Sequence, residues 1–164
     1  MTIPARTYER TPYEARLDVA YSARYHGMNE RFYRHLDVAF GFVGLFGGTA
    51  AFTAAIGQWQ TVGVVAGAGV AAGAILERLL RPVEKSAEHR LWREKATDLL
   101  ARIDAGEAPT LEAIDPALRQ LQGRSPPGLT ALEIPAYNAN LRTHGRTDAT
   151  IEQSTWSRMV ALLA

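Results

Sequence analysis

The chain has 164 residues, a formal net charge of +1 at pH 7 and no cysteine. The balanced charge gives no general attraction to nucleic acid, and the lack of cysteine excludes disulfides and thiolate chemistry. A hydrophobic fraction of 47% is ordinary for a soluble protein. The charges, however, are strongly segregated, because no Asp, Glu, Lys or Arg occurs in residues 38–76. Such segregation argues against a uniform globular domain and against a disordered chain.

The first predicted element is a long helix. Thr11 can cap it, Pro12 suits its first position and Glu14 completes a capping box. Apolar and aromatic residues then follow at helical spacing: Leu17, Tyr21, Tyr25, Met28, Phe32 and Leu36. Nothing stops this helix before residue 56, so we expect it to run unbroken, with residues 1–35 as an N-terminal cytosolic helix. The charged start of the chain has no apolar segment of the kind found in a secretory signal.

The uncharged block predicts a transmembrane hairpin in residues 36–80. One span needs about 20 residues, so the block suits two. The polar stretch at residues 57–61 divides it into spans at 36–56 and 62–80, and the turn is short enough to make the two helices antiparallel neighbours. The alternative is a hairpin buried in a soluble bundle or in a virion assembly.

The flanking residues predict how this hairpin is oriented. Trp59 at the turn suits the headgroup interface, and the turn itself carries no charge. Basic anchors lie at the other end of both spans, at Arg31, Arg34, Arg78 and Arg81. The positive-inside rule therefore predicts a bacterial inner-membrane protein with both termini in the cytoplasm. At the same end, Asp37 and Glu77 can form a carboxylate ring at a pore mouth or pair with the neighbouring arginines.

Glycine is concentrated in the predicted spans. The second span has two G-x-x-x-G spacings and the first has a glycine every third residue, which together give Gly63, Gly67, Gly69, Gly73, Gly41, Gly44 and Gly47. Small residues at this spacing let helices approach closely in lipid. They can serve packing within the hairpin or assembly of several copies. Two glycine faces with a single intramolecular partner favour a homo-oligomer.

Helices are also predicted after the membrane, so the fold class is all-α. Pro82 predicts a kink, followed by a charged cytosolic helix in residues 81–105 that packs against the N-terminal one. Residues 106–164 predict a tail of short helices: one stopped by Gly123, one at 135–142 stopped by Gly145, and one at 150–163. No strand pattern is convincing.

Chemistry-bearing motifs are missing from the sequence. The four histidines have no metal-ligand spacing, and the chain has no nucleophile elbow, P-loop or dinucleotide fingerprint. Glu84, Glu88 and His89 are predicted to form a solvated helix face. Asn138 and Asn140 are predicted to join a buried hydrogen-bond network, with a ligand contact as the alternative. We expect no enzyme, cofactor or metal.

The order of these elements resembles the SLATT class of two-transmembrane proteins. Residues 80–100 (LRPVEKSAEHRLWREKATDLL) look like the helix that follows the membrane in that class. The tail is similar to small SLATT-like phage and prophage proteins, through residues 126–132 (PPGLTAL) and 137–145 (YNANLRTHG). The resemblance implies a pore-forming effector of prokaryotic conflict systems. The chain departs from it in having no recognisable sensor domain, so a signal would act through the cytosolic helices or through a separate sensor or phage protein.

We therefore expect an oligomeric protein of the lipid bilayer that perturbs the membrane in phage–bacterium conflict and binds no nucleic acid. Three alternatives stay open at this point. They are a phage virion or injection-apparatus component, a holin-like lysis protein, and an adaptor that recruits a partner to the membrane.

Overall fold

The protein is all-α, as the sequence predicts. A computed structural model describes residues 10–57, 59–108 and 110–164. Residues 1–9 of the predicted N-terminal helix region, Gln58 of the predicted turn and Pro109 lie outside the described residues. The α-helices are α1 (Pro12–Ile56), α2 (Gln60–Leu80), α3 (Pro82–Asp104), α4 (Leu111–Arg124), α5 (Glu133–Thr143) and α6 (Thr155–Leu162). Single 3-10 turns lie at Thr130–Leu132 and Thr147–Ala149, and the described residues contain no strand.

Helix α1 is one unbroken helix of 45 residues, which confirms the prediction of a single element from residue 12 to residue 56. Its start is fixed by the predicted capping box. The Thr11 hydroxyl accepts a hydrogen bond from the Glu14 backbone N–H (3.3 Å), and the Glu14 carboxylate accepts one from the Thr11 N–H (2.8 Å). At about 1.5 Å per residue the helix is roughly 67 Å long. It is therefore long enough to contribute both to the helical bundle and to the first apolar segment of the hairpin.

The second half of the hairpin is connected differently, through a sharp break between α2 and α3. Arg81 has a left-handed backbone (φ 49°), and Pro82 opens α3. Proline lacks the N–H that would continue the helix, so the predicted kink is a complete break. Helix α3 ends before Gly106, which has a φ of +78°. Glycine adopts this left-handed conformation with less strain than other residues.

Helix α3 packs back along the N-terminal half of α1, as predicted. Two hydrophobic clusters hold this bundle together. The cluster farther from the hairpin contains Ala15, Val19, Leu99, Ala108, Ile114 and Leu118, and joins α1, α3 and α4. The nearer cluster contains Met28, Leu132, Ala136 and Val160, and brings α5 and α6 against α1. At the end of the bundle farther from the hairpin, Arg16 of α1 forms a hydrogen-bonded ion pair with Asp104 of α3 (2.6 Å).

The tail forms the predicted short helices with different boundaries. Gly123 does not stop α4, which continues to Arg124. The end is set instead by Pro126, since a residue before proline avoids helical geometry and Ser125 is extended (φ −68°, ψ 144°). Helix α6 begins at Thr155 rather than near residue 150, because the Ser154 side chain caps it by accepting from the Ser157 N–H (3.1 Å). The predicted stop at Gly145 (φ +72°) is confirmed, since α5 ends at Thr143.

Candidate functional site

The hairpin formed by the second half of α1 and by α2 has an apolar surface that the rest of the chain leaves uncovered. Helix α2 contains no buried residue. Large apolar side chains point outward along both helices, among them Phe42, Leu45, Phe46, Phe52, Val62, Val64, Val65 and Ile75. Two helices are long and apolar enough to cross a membrane, and the apolar window of each is entirely unburied. In a soluble core helix the same window would be mostly covered by protein.

The structure divides the predicted packing glycines into two groups. Gly47 and Gly73 lie inside the hairpin, where an added Cβ would be 2.6 Å from Val70 Cγ2 and 3.4 Å from Val43 Cγ1. The other described positions leave open space within 4 Å of such a Cβ: Gly41, Gly44, Gly67 and Gly69. Gly63 is half-buried. Packing inside the hairpin therefore explains only part of the glycine content.

The predicted anchors lie at the two ends of the hairpin. Trp59 at the turn is 71% exposed. Arg34 and Arg78 are exposed, and Arg81 pairs with Glu84 (3.0 Å). Arg31 is also exposed, and its Nε donates to the main-chain oxygen of Ala164 (2.8 Å).

The two predicted pore-mouth carboxylates flank the same end. Asp37 is half-buried and Glu77 is exposed. Among the described residues neither makes an ion pair within 4.0 Å. The alternative in which they pair with Arg34, Arg78 or Arg81 is thus not seen in the described part of the chain.

Below this end of the hairpin, α1 and α3 meet through a buried histidine pair that sequence reasoning missed. The Nδ1 atoms of His26 and His89 are 2.9 Å apart, and both residues are buried. The Tyr33 ring stacks on His89, with centroids 5.7 Å apart and an interplanar angle of 9°. Lys85 Nζ lies 5.3 Å from the Tyr33 ring centroid. The prediction that His89 shares a solvated face with Glu84 and Glu88 was therefore wrong.

The geometry constrains the protons of this pair. At 2.9 Å one Nδ1 must donate and the other accept, so the contact holds one proton and cannot hold two. Burial lowers the pKa of both imidazoles to about 4; for His89, repulsion from the protonated form of His26 and from Lys85 lowers the pKa further in the same direction. His89 Nε2 is buried and has no hydrogen-bond partner among the described residues. The pair is therefore neutral at pH 7, and its hydrogen-bonding capacity is not fully used.

Further polar contacts continue from the histidine pair along α1 and α3, and we call the whole set the polar seam. Arg93 of α3 donates to the Glu30 carboxylate (2.7 Å), and the Ser86 hydroxyl donates to the Glu30 carbonyl (3.2 Å). The helices approach closely at Gly27, where an added Cβ would lie 3.1 Å from Arg93 Cδ. One signal for the seam was present in the sequence. Ser22, His26, Asn29 and Tyr33 follow helical spacing and are all buried.

The asparagines of α5 have structural partners, as predicted. Asn138 Nδ2 donates to the Ile151 carbonyl (2.6 Å), and its Oδ1 accepts from the Ile151 N–H (2.8 Å). Asn140 Nδ2 donates to the Leu17 carbonyl of α1 (3.0 Å). The described residues contain no group of three or more potential metal ligands.

Comparison of the chain with models of protein families, with characterised proteins and with solved structures finds no match. The resemblance to the SLATT class therefore stays a prediction from the sequence. The functional features of the structure are an uncovered apolar hairpin, glycines on its outer surface, and a polar seam in the bundle next to its basic end.

Proposed function

We propose that this chain is an oligomeric inner-membrane protein, with both termini in the cytoplasm, that forms a pore in phage–bacterium conflict. The observation that carries the proposal is the uncovered hairpin, in which α2 buries no residue at all. Exposed aromatic and aliphatic side chains over two helix lengths are unfavourable in water. A lipid bilayer covers such a surface with no further partner.

The distribution of charge supports a spanning arrangement. Basic side chains are confined to one end of the hairpin, while Trp59 lies at the uncharged turn. Arginines on the cytoplasmic side and an interfacial tryptophan are typical of bacterial inner-membrane helices. The bundle consists of the part of α1 up to His35 and of the chain from Pro82 onward. Both parts join the hairpin at its basic end, so the bundle lies on that side of the hairpin.

The outward glycines support assembly of several copies. Gly41 and Gly44 are exposed on α1, and a Cβ added at either position would have no described atom within 4 Å beyond its own stretch of helix. In lipid, association of helices depends on close backbone approach at small residues rather than on hydrophobicity. These glycines leave room for the helix of a second copy. Gly47 and Gly73, in contrast, allow the two helices of the hairpin to pack closely against each other.

The assignment to conflict rests on the resemblance to SLATT-like proteins in residues 80–100, 126–132 and 137–145. A pore effector needs a resting and a conducting arrangement that a signal can favour differently. The polar seam between α1 and α3 lies close to the spans and includes a buried nitrogen, His89 Nε2, without a partner among the described residues. It is the interface on which we propose that such a signal acts. A separate sensor or phage protein would act on the cytosolic bundle.

Membrane potential in bacteria tests this function. The chain is expressed from a tightly controlled promoter and potential is followed with a voltage-sensitive dye. Gly44→Leu is compared with Ala50→Leu, a small-to-large control at another exposed position of α1. We expect rapid depolarisation by the natural chain and by Ala50→Leu, and its loss in Gly44→Leu with the protein still in the membrane fraction.

Other outcomes separate the alternatives. Equal depolarisation by all three chains would reject assembly through the outward glycines. Unchanged potential with membrane-bound protein, even after phage infection, would reject the pore and leave an adaptor. Recovery of the protein in soluble particles would reject the membrane assignment and favour the virion component.

A further inference from the structure

Helix α6 carries a second apolar surface that the bundle does not cover. Ser157 and Val160 are buried against the rest of the bundle. Four large apolar residues of α6 and its C-cap remain exposed: Trp156, Met159, Leu162 and Leu163. Leu162 is 86% exposed. The helix contains a single charged residue, Arg158. A helix on the surface of a soluble bundle would place polar residues at such exposed positions.

The fold holds the end of α6 at the base of the hairpin. The His35 Nδ1–H donates to the Leu163 carbonyl (2.7 Å), and Arg31 Nε donates to the main-chain oxygen of Ala164 (2.8 Å). Arg31 and His35 form the turn of α1 directly before the apolar span begins at Leu36. The exposed leucines of α6 are therefore level with the point at which α1 leaves the bundle.

We propose that α6 is a membrane-surface anchor whose exposed apolar face lies in the headgroup region of the leaflet that the hairpin enters. This inference rests on the proposed membrane location of the hairpin. A lipid surface is the occupant that this position favours, since Arg31 and His35 hold the end of α6 beside the first residues of the apolar span. A tryptophan, aliphatic residues and one basic side chain on a short helix are the chemistry that favours a lipid interface.

Cysteine labelling can place α6 relative to the bilayer, because the natural chain has no cysteine. Three exposed leucines are changed one at a time in the full chain: Leu162→Cys, Leu45→Cys in the first span and Leu91→Cys on α3. Their natural side chains are 86%, 68% and 49% exposed. Each variant is spin-labelled and reconstituted into phosphatidylethanolamine–phosphatidylglycerol vesicles. Collision of the label with oxygen reports lipid, and collision with a water-soluble nickel complex reports water.

We expect the label at position 45 to collide with oxygen and the label at 91 with nickel. At position 162 oxygen collision should rise and nickel collision should fall relative to position 91, by less than at position 45. Met159→Cys on the same face should repeat this shift, which guards against a local effect of one variant.

The remaining results overturn the inference and identify what failed. If position 162 behaves like position 91 while position 45 is in lipid, α6 is not an anchor and the hairpin stands. If position 162 is shielded from both reagents, another protein surface covers it, and a second copy is the first to test. If position 45 also reports water, the membrane proposal itself fails.

Discussion

Acidification is expected to weaken the contact between α1 and α3 through the His26–His89 pair. In the folded chain burial lowers both pKa values to about 4, whereas an exposed histidine titrates near 6.5. Between these values the unfolded chain binds protons that the folded chain does not. The free energy of unfolding therefore falls as the pH drops below about 6.5, and the loss is complete below about 4.

The size of the effect follows from the same pKa values. At pH 5.5 each histidine has lost about 1.4 kcal/mol relative to neutral pH, so the pair together loses roughly 2–3 kcal/mol. For a chain of this length, that corresponds to a fall in the melting temperature of the order of 4–12 °C. The carboxylates with lowered pKa values, Asp104 and Glu112, lose their contributions only at lower pH and do not act in this window.

Thermal unfolding followed by circular dichroism in detergent micelles, at pH 7.5, 6.5 and 5.5, measures this loss. The double variant His26→Gln/His89→Gln should be less sensitive to acid, because neither glutamine takes up a proton. His35→Gln serves as a control, since His35 is exposed, and should keep the acid sensitivity of the natural chain. An equal loss of stability in the natural chain and the double variant between pH 7.5 and 5.5 would show that the histidine pair does not cause the acid sensitivity.

Three further changes test other parts of the structure. Gly47→Ala places a Cβ 2.6 Å from Val70 Cγ2, so the hairpin should separate, and cross-linking between cysteines placed on α1 and α2 should decrease. Asn138→Ala leaves the Ile151 N–H and carbonyl without their partner; we expect a loss of about 1–3 kcal/mol in chemical denaturation and faster amide exchange at Ile151. Thr11→Ala removes the side-chain cap of α1 and should cost about 1 kcal/mol in the same denaturation assay, with no change in membrane insertion.

The features that the sequence predicted well depend on local signals. The start of α1 follows from the capping residues Thr11 and Glu14, and its length follows from the absence of any residue that would stop it. The hairpin boundaries follow from where charge ends and resumes. The break at Pro82 follows from the missing N–H of proline. The packing of α3 on α1 then follows from their common exit from the hairpin.

The polar seam could not be predicted because it depends on the register of two distant helices. His26 and His89 are 63 positions apart, and neither neighbourhood alone shows that the rings meet. The charged sequence around His89 predicts a solvated face, yet the helix turns this residue inward while Glu84 and Glu88 stay exposed. A one-residue change of register would rotate the ring by about 100° and remove the contact.

The glycines of the hairpin show the same limit of prediction from the sequence. Gly41, Gly44 and Gly47 have one spacing in the sequence, but only Gly47 contacts the partner helix closely. Spacing defines which residues can share a helix face, and the crossing of α1 and α2 decides which face is used. Only the packing of α1 against α2 distinguishes Gly41 and Gly44, which face outward, from Gly47, which faces α2.

The two connections between the bundle and the hairpin differ mechanically, and this difference bears on how a pore of this design would be gated. Helix α1 passes from the polar seam into the apolar hairpin without a break, so the helix itself transmits a displacement at His26 or Tyr33 to the hairpin. Helix α3 is separated from α2 by the left-handed residue Arg81, where a rotation can be absorbed by the backbone. A signal that changes how α3 sits against α1 would therefore reach the hairpin mainly through α1. In the proposed pore, the register of α1 against α3 would be the element with two arrangements on which gating depends.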